Sequence, residues 1–279
     1  MAIVLDTNQV GIFCDRVQKE SWLLSLDVTL PPNVLAELIL WRKQTSRNQL
    51  YALRPRVGLH LGDVMSAIAS ANEDEIRTFR PFPSPTTANS EIYDELVNAL
   101  KGPSPLQHQW ATDWKAKNKD FCGLMKKKAL DFRKLIRDKK SAGIIRGTYK
   151  FASIEDAFGK GSQSFVGSIV NASVSEGGKR QVAITDPEKL YDAVIANPFV
   201  GGLFKTILFY ILSYSRMWDH NHHNHNFDPT SDRDDWTDMT VPLYAAPGDT
   251  ILTQDTKLCD AIATVYGTGN LIVKKAADL

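Results

Sequence analysis

Short apolar runs alternate with helical patterns at both ends of the chain. Residues 2–5 form a continuous apolar run, which is typical of a strand buried on both faces. Asp27 to Leu30 has the pattern of a second strand, and residues 9–26 between them have apolar positions near helical spacing. Two further strands are predicted at residues 250–253 and 271–273. This alternation predicts an α/β fold with a small parallel sheet and right-handed crossovers.

The segment between these two regions has a different pattern. Prolines separated by Ser and Thr mark loops around a short helix predicted from Glu91 to Leu100. A long helix follows from Trp110 to Lys140. Its apolar stripe is predicted to contain Phe121, Leu124, Met125, Phe132, Leu135 and Ile136. Residues 79–230 are therefore predicted to be a mostly helical insertion with its own core, which divides the α/β domain into residues 1–78 and 231–279.

Charge is distributed unevenly along a chain that is almost neutral overall. The 279 residues carry a formal net charge of +1, and 43% of them are hydrophobic, as in ordinary globular proteins. Residues 115–140 contain eleven Lys or Arg against three Asp, whereas residues 219–260 contain nine Asp against two cations. This asymmetry predicts a basic surface and a separate acidic pocket.

Cysteine content and hydropathy indicate a cytoplasmic protein outside the membrane. Cys14, Cys122 and Cys259 fit neither a disulfide framework nor a zinc motif, so a reducing compartment is expected. Met1 leads into the first strand without a basic segment, so no signal peptide is expected. The apolar core Ile207 to Leu212 is far shorter than the roughly 20 residues of a membrane span. We expect a buried helix there, or an interface for a homo-oligomer formed by the segment Phe204 to Leu212.

Acidic residues follow the predicted strands at both ends of the chain. Asp6 comes directly after the first apolar run, and Asp255 follows the strand of residues 250–253. The carboxyl ends of strands in an open α/β sheet form the edge where ligands bind. Carboxylates that converge there repel one another unless a divalent cation lies between them. The pattern therefore predicts a Mg²⁺ or Mn²⁺ site suited to phosphodiester chemistry.

Two further acids complete the predicted site. Glu37 lies among apolar residues of a helix, where burial without a partner is costly. Asp238 is preferred to Asp235, which we expect to cap a helix or to support the site, because one helix, a turn and a strand fit between Asp238 and Asp255. Asn8 and Thr253 are candidates for orienting water or ligand.

These four segments resemble the PIN-domain nucleases. The resemblance rests on Asp-Thr-Asn at residues 6–8, Val-Leu-Ala-Glu-Leu at residues 34–38, the Asp-rich residues 234–238 and Leu-Thr-Gln-Asp at residues 252–255. It covers approximately residues 1–70 and 230–279. The departure is a stretch of about 150 residues between the second and third acids.

The resemblance implies a PIN-like three-layer α/β/α fold and a metal-dependent endonuclease that cuts RNA, or less often structured DNA. It places Asp6, Glu37, Asp238 and Asp255 on the acidic positions of that family, as catalytic residues and as ligands of Mg²⁺ or Mn²⁺. A DNA nuclease, another metal-dependent phosphohydrolase and a non-catalytic nucleic-acid-binding scaffold remain alternatives. The biological role, including that of a toxin held by an antitoxin, is left open.

Cations on the long helix are candidates for nucleic-acid binding. They are Lys126, Lys127, Lys128, Arg133, Lys134 and Arg137. We expect them to lie opposite the apolar stripe, as phosphate ligands or as an ordinary solvated face. The run of His and Asn at residues 219–226 invites a transition-metal interpretation, but it lacks hydrophobic support, and a surface loop is favoured.

Overall fold

The computed structural model describes residues 2–40, 44–83, 89–142, 187–214, 238, 240–267 and 270–279. The strands are β1 (Ala2–Leu5), β2 (Asp27–Leu30), β3 (Arg56–Val57), β4 (Thr250–Leu252) and β5 (Ile272–Lys274). The first helices are α1 (Thr7–Val17), α2 (Pro32–Leu40), α3 (Gln44–Ala52), α4 (Leu61–Ser70), α5 (Glu73–Thr78) and α6 (Asn89–Asn98). The later helices are α7 (Pro105–Ser141), α8 (Pro187–Ala196), α9 (Pro198–Tyr214) and α10 (Thr256–Tyr266). Short 3-10 helices lie at Ser21–Ser25, Val241–Tyr244 and Ala276–Asp278.

The five strands form one parallel sheet in the order β3-β2-β1-β4-β5. Val4 in the central strand is paired with Thr29 on one side and with Ile251 on the other. The amino-terminal and carboxyl-terminal parts of the chain thus meet in the middle of the sheet. This confirms the expected α/β fold with a small parallel sheet.

Alternate residues of β1 pack into different hydrophobic clusters, so both faces of the sheet are covered. Ile3 and Leu5 belong to the cluster that contains the buried residues of α1 and α2. Val4 belongs to the cluster that contains those of α4, α9 and α10. We call these clusters the α2 core and the α9 core.

Helices from the segment 79–230 contribute to both clusters. α6 and the start of α7 supply residues to the α2 core, and α8 and α9 supply residues to the α9 core. Residues Phe204 to Leu212 of α9 are buried apart from the half-buried Lys205, which bears out the expected burial and leaves their apolar side chains unavailable as an exposed oligomer interface. The domain boundaries at residues 79 and 230 stay predictions.

Hydropathy of the helices bears on membrane insertion. In the described part of the chain, no single helix has both the length and the apolar composition of a membrane span. Only together do helices α8 and α9 reach the length and apolar composition of a span, and the pair is bent by 106° at the break between them.

The predicted apolar stripe of α7 is wrong in part. Leu124 and Leu135 are 40% and 47% exposed, so they lie on the solvent side together with several cations. Among the described side chains of α7, those fully buried are Ala111, Trp114, Cys122 and Ala129. Phe132 of the predicted stripe is half-buried against the α9 core, as expected, and the side chains of Phe121, Met125 and Ile136 lie outside the described ones. Ala111 and Trp114 lie in the α2 core, whereas Cys122 and Ala129 lie in the α9 core. The described buried surface of α7 therefore changes partner along the helix.

Candidate active site at the carboxyl edge of the sheet

The candidate site lies at the topological switch point of the sheet. From β1 the chain adds β2 and β3 on one side, and β4 and β5 on the other. Such a switch point opens a crevice outside the carboxyl ends of the two central strands. Asp6 follows β1 at this edge, and its backbone N–H donates to the Leu252 carbonyl of β4 at 3.0 Å. Residues 253–255 continue from β4 at the same edge.

Asp6 is a buried carboxylate with two short hydrogen bonds. It is 4% exposed, and its Oδ2 accepts from the Thr253 hydroxyl and from the Asn8 side-chain amide, each at 2.6 Å. The Thr253 Oγ1 also accepts from the backbone N–H of Asp255 at 3.0 Å, so its proton is directed at Asp6. Both residues that the sequence suggested as supports thus contact Asp6.

The amide of Asn8 is fixed in orientation by neighbouring donors. Its Oδ1 accepts from the Gln254 backbone N–H at 3.2 Å and from the Gln9 side-chain amide at 3.1 Å. The nitrogen of Asn8 must therefore point at Asp6. Gln9 in turn accepts from the backbone N–H of Ala276 at 2.7 Å, just after β5. One network thus ties together the carboxyl ends of β1, β4 and β5, and no sequence pattern had indicated that Gln9 belongs to it.

Burial and nearby charge raise the pKa of Asp6. Burial has the largest effect, and the negative charge of Asp255 adds to it. The hydrogen bonds from Thr253, from the Thr7 backbone and from Asn8 favour the ionised form and oppose the rise in pKa. The pKa of the Cys259 thiol is raised as well, by burial and then by Asp255, Asp260 and Asp6. These side chains therefore share a region of negative potential.

Asp255 has a structural role besides any chemical one. Its Oδ1 accepts from the Leu258 backbone N–H at 2.8 Å, so it is the N-cap of α10. Its backbone N–H is held by Thr253. The cap and this hydrogen bond fix the half-buried Asp255 carboxylate beside Asp6, with one of its two oxygens committed to the helix.

Glu37 lies on α2, which begins beside the carboxyl end of β2. It is half-buried, and Asn33 lies one turn earlier on the same face of α2. Asn33 is 2% exposed, and its Oδ1 has no hydrogen-bond partner within the described part of the chain. An amide oxygen and a carboxylate are ligands suited to Mg²⁺ or Mn²⁺. The α2 side of this edge therefore offers oxygen ligands, and Glu37 as a metal ligand stays a prediction.

Hydrogen bonds link two of the four predicted acids, Asp6 and Asp255, through Thr253. Asp238 is a half-buried residue shortly before the 3-10 helix Val241–Tyr244, and Asp235 lies outside the described residues. Among the described residues, no three His, Cys, Asp or Glu side chains are close enough together to hold a metal ion. Thr253 links Asp6 to Asp255 through hydrogen bonds, and the roles of all four acids as metal ligands stay predictions.

The Asp6 and Asp255 pair still suits a hard divalent cation. Mg²⁺ usually keeps several waters and binds through one or two carboxylates together with substrate phosphates. The two acids lie at one edge of the sheet, and Asp255 Oδ2 accepts no hydrogen bond within the described residues. The chemistry of these ligands, with the unpartnered oxygen of Asn33 at the same edge, fits such an ion.

A second polar group lies at the same edge, after β3. His60 accepts at Nδ1 from the Gly62 backbone N–H at 3.0 Å, which makes it the N-cap of α4. Its own backbone N–H donates to the Tyr93 hydroxyl at 3.1 Å, and that hydroxyl donates to Asp63 at 3.3 Å. The ring of His60 packs edge-to-face against Trp114, with centroids 5.5 Å apart. No sequence pattern pointed to this group, because β3 has only two residues.

The predicted nucleic-acid-binding cations follow Trp114 on α7. Lys127, Lys128, Lys134 and Arg137 are exposed, and Lys126 and Arg133 are half-buried. Their expected separation from the apolar residues is wrong for Leu124 and Leu135, which are exposed with them. The His and Asn run at residues 219–226 lies outside the described residues.

Comparison of this chain with protein-family models, with curated proteins and with solved structures gives no match.

Proposed function

We propose that this chain is a metal-dependent endonuclease that hydrolyses phosphodiester bonds, with RNA as the preferred substrate, on a PIN-like three-layer α/β/α scaffold. One observation carries the proposal. A buried aspartate, held by two directed hydrogen bonds, lies beside a second aspartate at the switch point of a parallel sheet. The preference for RNA comes from the resemblance of the four sequence segments to PIN-domain nucleases.

Each side chain of the candidate site has its own proposed role. Asp6 and Asp255 would hold Mg²⁺ or Mn²⁺, with Glu37 and Asp238 as further candidate ligands. Such an ion supplies an activated water and neutralises charge on the phosphate. Thr253 and Asn8 keep the Asp6 carboxylate in one orientation and favour its ionised form. The α10 cap keeps the Asp255 carboxylate beside it.

The direct test is cleavage of total cellular RNA in the presence of Mn²⁺, followed by mapping of the ends produced. We expect cleavage by the wild type and a loss of several orders of magnitude in Asp6→Asn and in Asp255→Asn. Asp27→Asn is the matched control, because Asp27 is an exposed aspartate at the opposite edge of the sheet, paired with Arg56. Wild-type rates in Asp6→Asn, or cleavage that persists in excess chelator, would refute the proposal.

The substrate class can be separated in the same assay. Single-stranded RNA, flapped DNA and a small phosphomonoester are offered in parallel at equal concentration. A nuclease for RNA cuts the first and leaves the phosphomonoester intact. Preference for flapped DNA would identify a structure-specific DNA nuclease, and turnover of the phosphomonoester would identify a phosphatase.

A non-catalytic nucleic-acid-binding scaffold is the second candidate. It is favoured by the lack, among the described residues, of three acidic or other metal-binding side chains in one group. Calorimetric titration with Mn²⁺ distinguishes the two functions. A nuclease is expected to bind the ion in a manner that Asp6→Asn and Asp255→Asn weaken, whereas a scaffold should bind none that depends on these carboxylates.

A further inference from the structure

We propose that His60 and Lys117 form a second phosphate-binding point, which holds the nucleic-acid strand a short distance from the bond cut at Asp6 and Asp255. The proposal rests on the proposed function and adds a part of the molecule that the acidic residues do not include. Its ligand is a backbone phosphate of a single-stranded nucleic acid.

The position of His60 follows from the sheet. β3 lies two strands from β1, so the two carboxyl ends are about 10 Å apart at the usual strand spacing. His60 follows β3 after two residues, and Asp6 follows β1 directly. Both side chains therefore lie at one edge, at a separation that a single strand of nucleic acid can bridge.

His60 is held in one orientation, and its Nε2–H remains as a hydrogen-bond donor. Its backbone N–H is bound by Tyr93, and its Nδ1 accepts from Gly62. Because Nδ1 is an acceptor, the proton of the neutral ring is on Nε2. No protein acceptor for this N–H occurs among the described residues, and the ring is half-buried, with Trp114 against it. A fixed donor of this kind suits an incoming oxygen atom.

Helix α7 brings a cation to the same place. Trp114 packs in the α2 core and Cys122 in the α9 core, so the part of α7 between them passes from one face of the sheet to the other. Lys117 is in this part, one turn after Trp114, and it is exposed. Because the ring of Trp114 packs against His60, the next turn of α7 lies close to His60, and the charge of Lys117 lowers the pKa of His60 after the larger effect of burial.

The two residues complement each other as phosphate ligands. Lys117 supplies the charge that releases counterions from the strand, and the neutral His60 supplies a directed hydrogen bond. Asp63, which also faces His60, accepts from the Tyr93 hydroxyl. Asp63 is exposed, so its negative charge opposes phosphate binding near His60, and the cation Lys117 is needed to offset it.

The test measures binding of a short labelled RNA, and of DNA with the same sequence, across a salt series. All variants carry Asp6→Asn, so that the probe is not cut. We expect Lys117→Gln to reduce the slope of log affinity against log salt by about 0.7. Lys119→Gln is the control, because Lys119 is an exposed cation two residues further along α7. It should leave the slope close to its original value.

His60→Asn tests the hydrogen bond. Asparagine preserves the N-cap acceptor for Gly62 and removes Nε2, so α4 should keep its start. We expect binding to weaken about threefold to tenfold with an unchanged salt slope, since a neutral hydrogen bond is removed. His60→Asn combined with Lys117→Gln should cost less than the sum of the two, because both act on one phosphate.

The outcomes separate this inference from the proposed function. Equal slopes in Lys117→Gln and Lys119→Gln, or unchanged affinity in His60→Asn, would overturn the binding point, even where the wild type cuts RNA. Weaker binding in both variants, combined with no cleavage by the wild type, would support the binding point and overturn the nuclease.

Discussion

At the scale of single residues, two opposed effects act on the pKa of Asp6. Burial and Asp255 raise its pKa, whereas Thr253 and Asn8 donate hydrogen bonds that favour the charged form. A carboxylate kept ionised in such a place costs stability when no cation is bound. The proposed cation would offset this cost.

Asp6→Asn should therefore stabilise the metal-free protein at neutral pH. A folded-state pKa above the unfolded value means that folding takes up a proton, so stability is lost as pH rises through that window and is recovered as pH falls. The wild type should gain melting temperature relative to the variant when the pH is lowered from 7 toward the pKa of Asp6. Added Mn²⁺ should stabilise the wild type more than the variant. Identical melting curves for the two proteins without metal at neutral pH would show that the charge of the buried Asp6 does not destabilise the fold.

His60 should give a pH dependence of the opposite sign. Its pKa is lowered by burial and by Lys117, against the attraction of Asp63, so unfolding takes up a proton in mildly acidic solution. Stability should fall as pH drops below about 6.5, the usual pKa of histidine. His60→Asn should reduce this loss between pH 7 and pH 5, measured by urea unfolding at each pH. A loss equal to that of the wild type would show that His60 keeps an ordinary pKa.

Whether the sequence alone can locate a residue of the site depends on the length of the strand that precedes it. β1 and β4 have clear apolar patterns, so Asp6 and Asp255 could be located at their ends, with Asn8 and Thr253 nearby. His60 and Tyr93 could not be located from the sequence. The strand before His60, β3, has only two residues, and the hydrogen bond between His60 and Tyr93 joins helices that are far apart in the chain. Gln9 was missed because its partner, Ala276, is far away in the sequence.

At the scale of elements, α10 depends on the same aspartate that the site uses. The capping and chemical roles of Asp255 can be separated by comparing two substitutions. Asp255→Asn keeps a good N-cap and removes the charge, so we expect little loss of stability and no cleavage. Asp255→Ala should remove the cap as well, at a cost of about 1 kcal/mol in the free energy of unfolding. Chemical denaturation and the RNA assay on both variants provide the check, and equal stability of the two would argue against the cap.

The cations of the second half of α7 should bind substrate without taking part in chemistry. Replacing Lys126, Lys127, Arg133 and Lys134 with Gln should raise the KM strongly at moderate salt, with a smaller effect on kcat at saturation. The slope of log affinity against log salt should decrease by about 0.7 for each phosphate that these cations no longer neutralise. Salt-series titrations of the wild type and of the quadruple variant measure this, and parallel lines would show an ordinary solvated surface.

The error in the predicted stripe of α7 has a physical cause. Large apolar residues dominate any helical periodicity, so Leu124 and Leu135 were expected on the buried side, but they are exposed. The helix instead packs closely through Ala111 and Ala129, on two different faces of the sheet. A single stripe cannot describe a helix whose partners change along its length.

At the scale of the whole molecule, α7 links the two cores. It packs against α2 and against α9, which lie on opposite faces of the sheet. The local pattern predicted a parallel sheet, but not the order β3-β2-β1-β4-β5, because nothing in a strand's own residues states which neighbour it joins. Such pairings depend on interactions between distant segments.

We expect this link to make unfolding cooperative across the sheet. Ala129→Gly, at a buried position in the α9 core, should cost about 1 kcal/mol through helix propensity, and more through weaker packing. Hydrogen exchange should show equal loss of protection in α2 and in α9, although only α9 shares the core of residue 129. Loss confined to α9, with α2 as protected as in the wild type, would show two units that unfold separately.

The hydrogen bond between Thr253 and Asp6 joins residues 247 positions apart in the chain. During synthesis on the ribosome, Asp6 therefore emerges long before Thr253, which orients it, and long before the second aspartate, Asp255. An unfinished chain therefore cannot assemble the site, whatever else has folded. The proposed nuclease activity therefore cannot begin until both aspartates have left the ribosome.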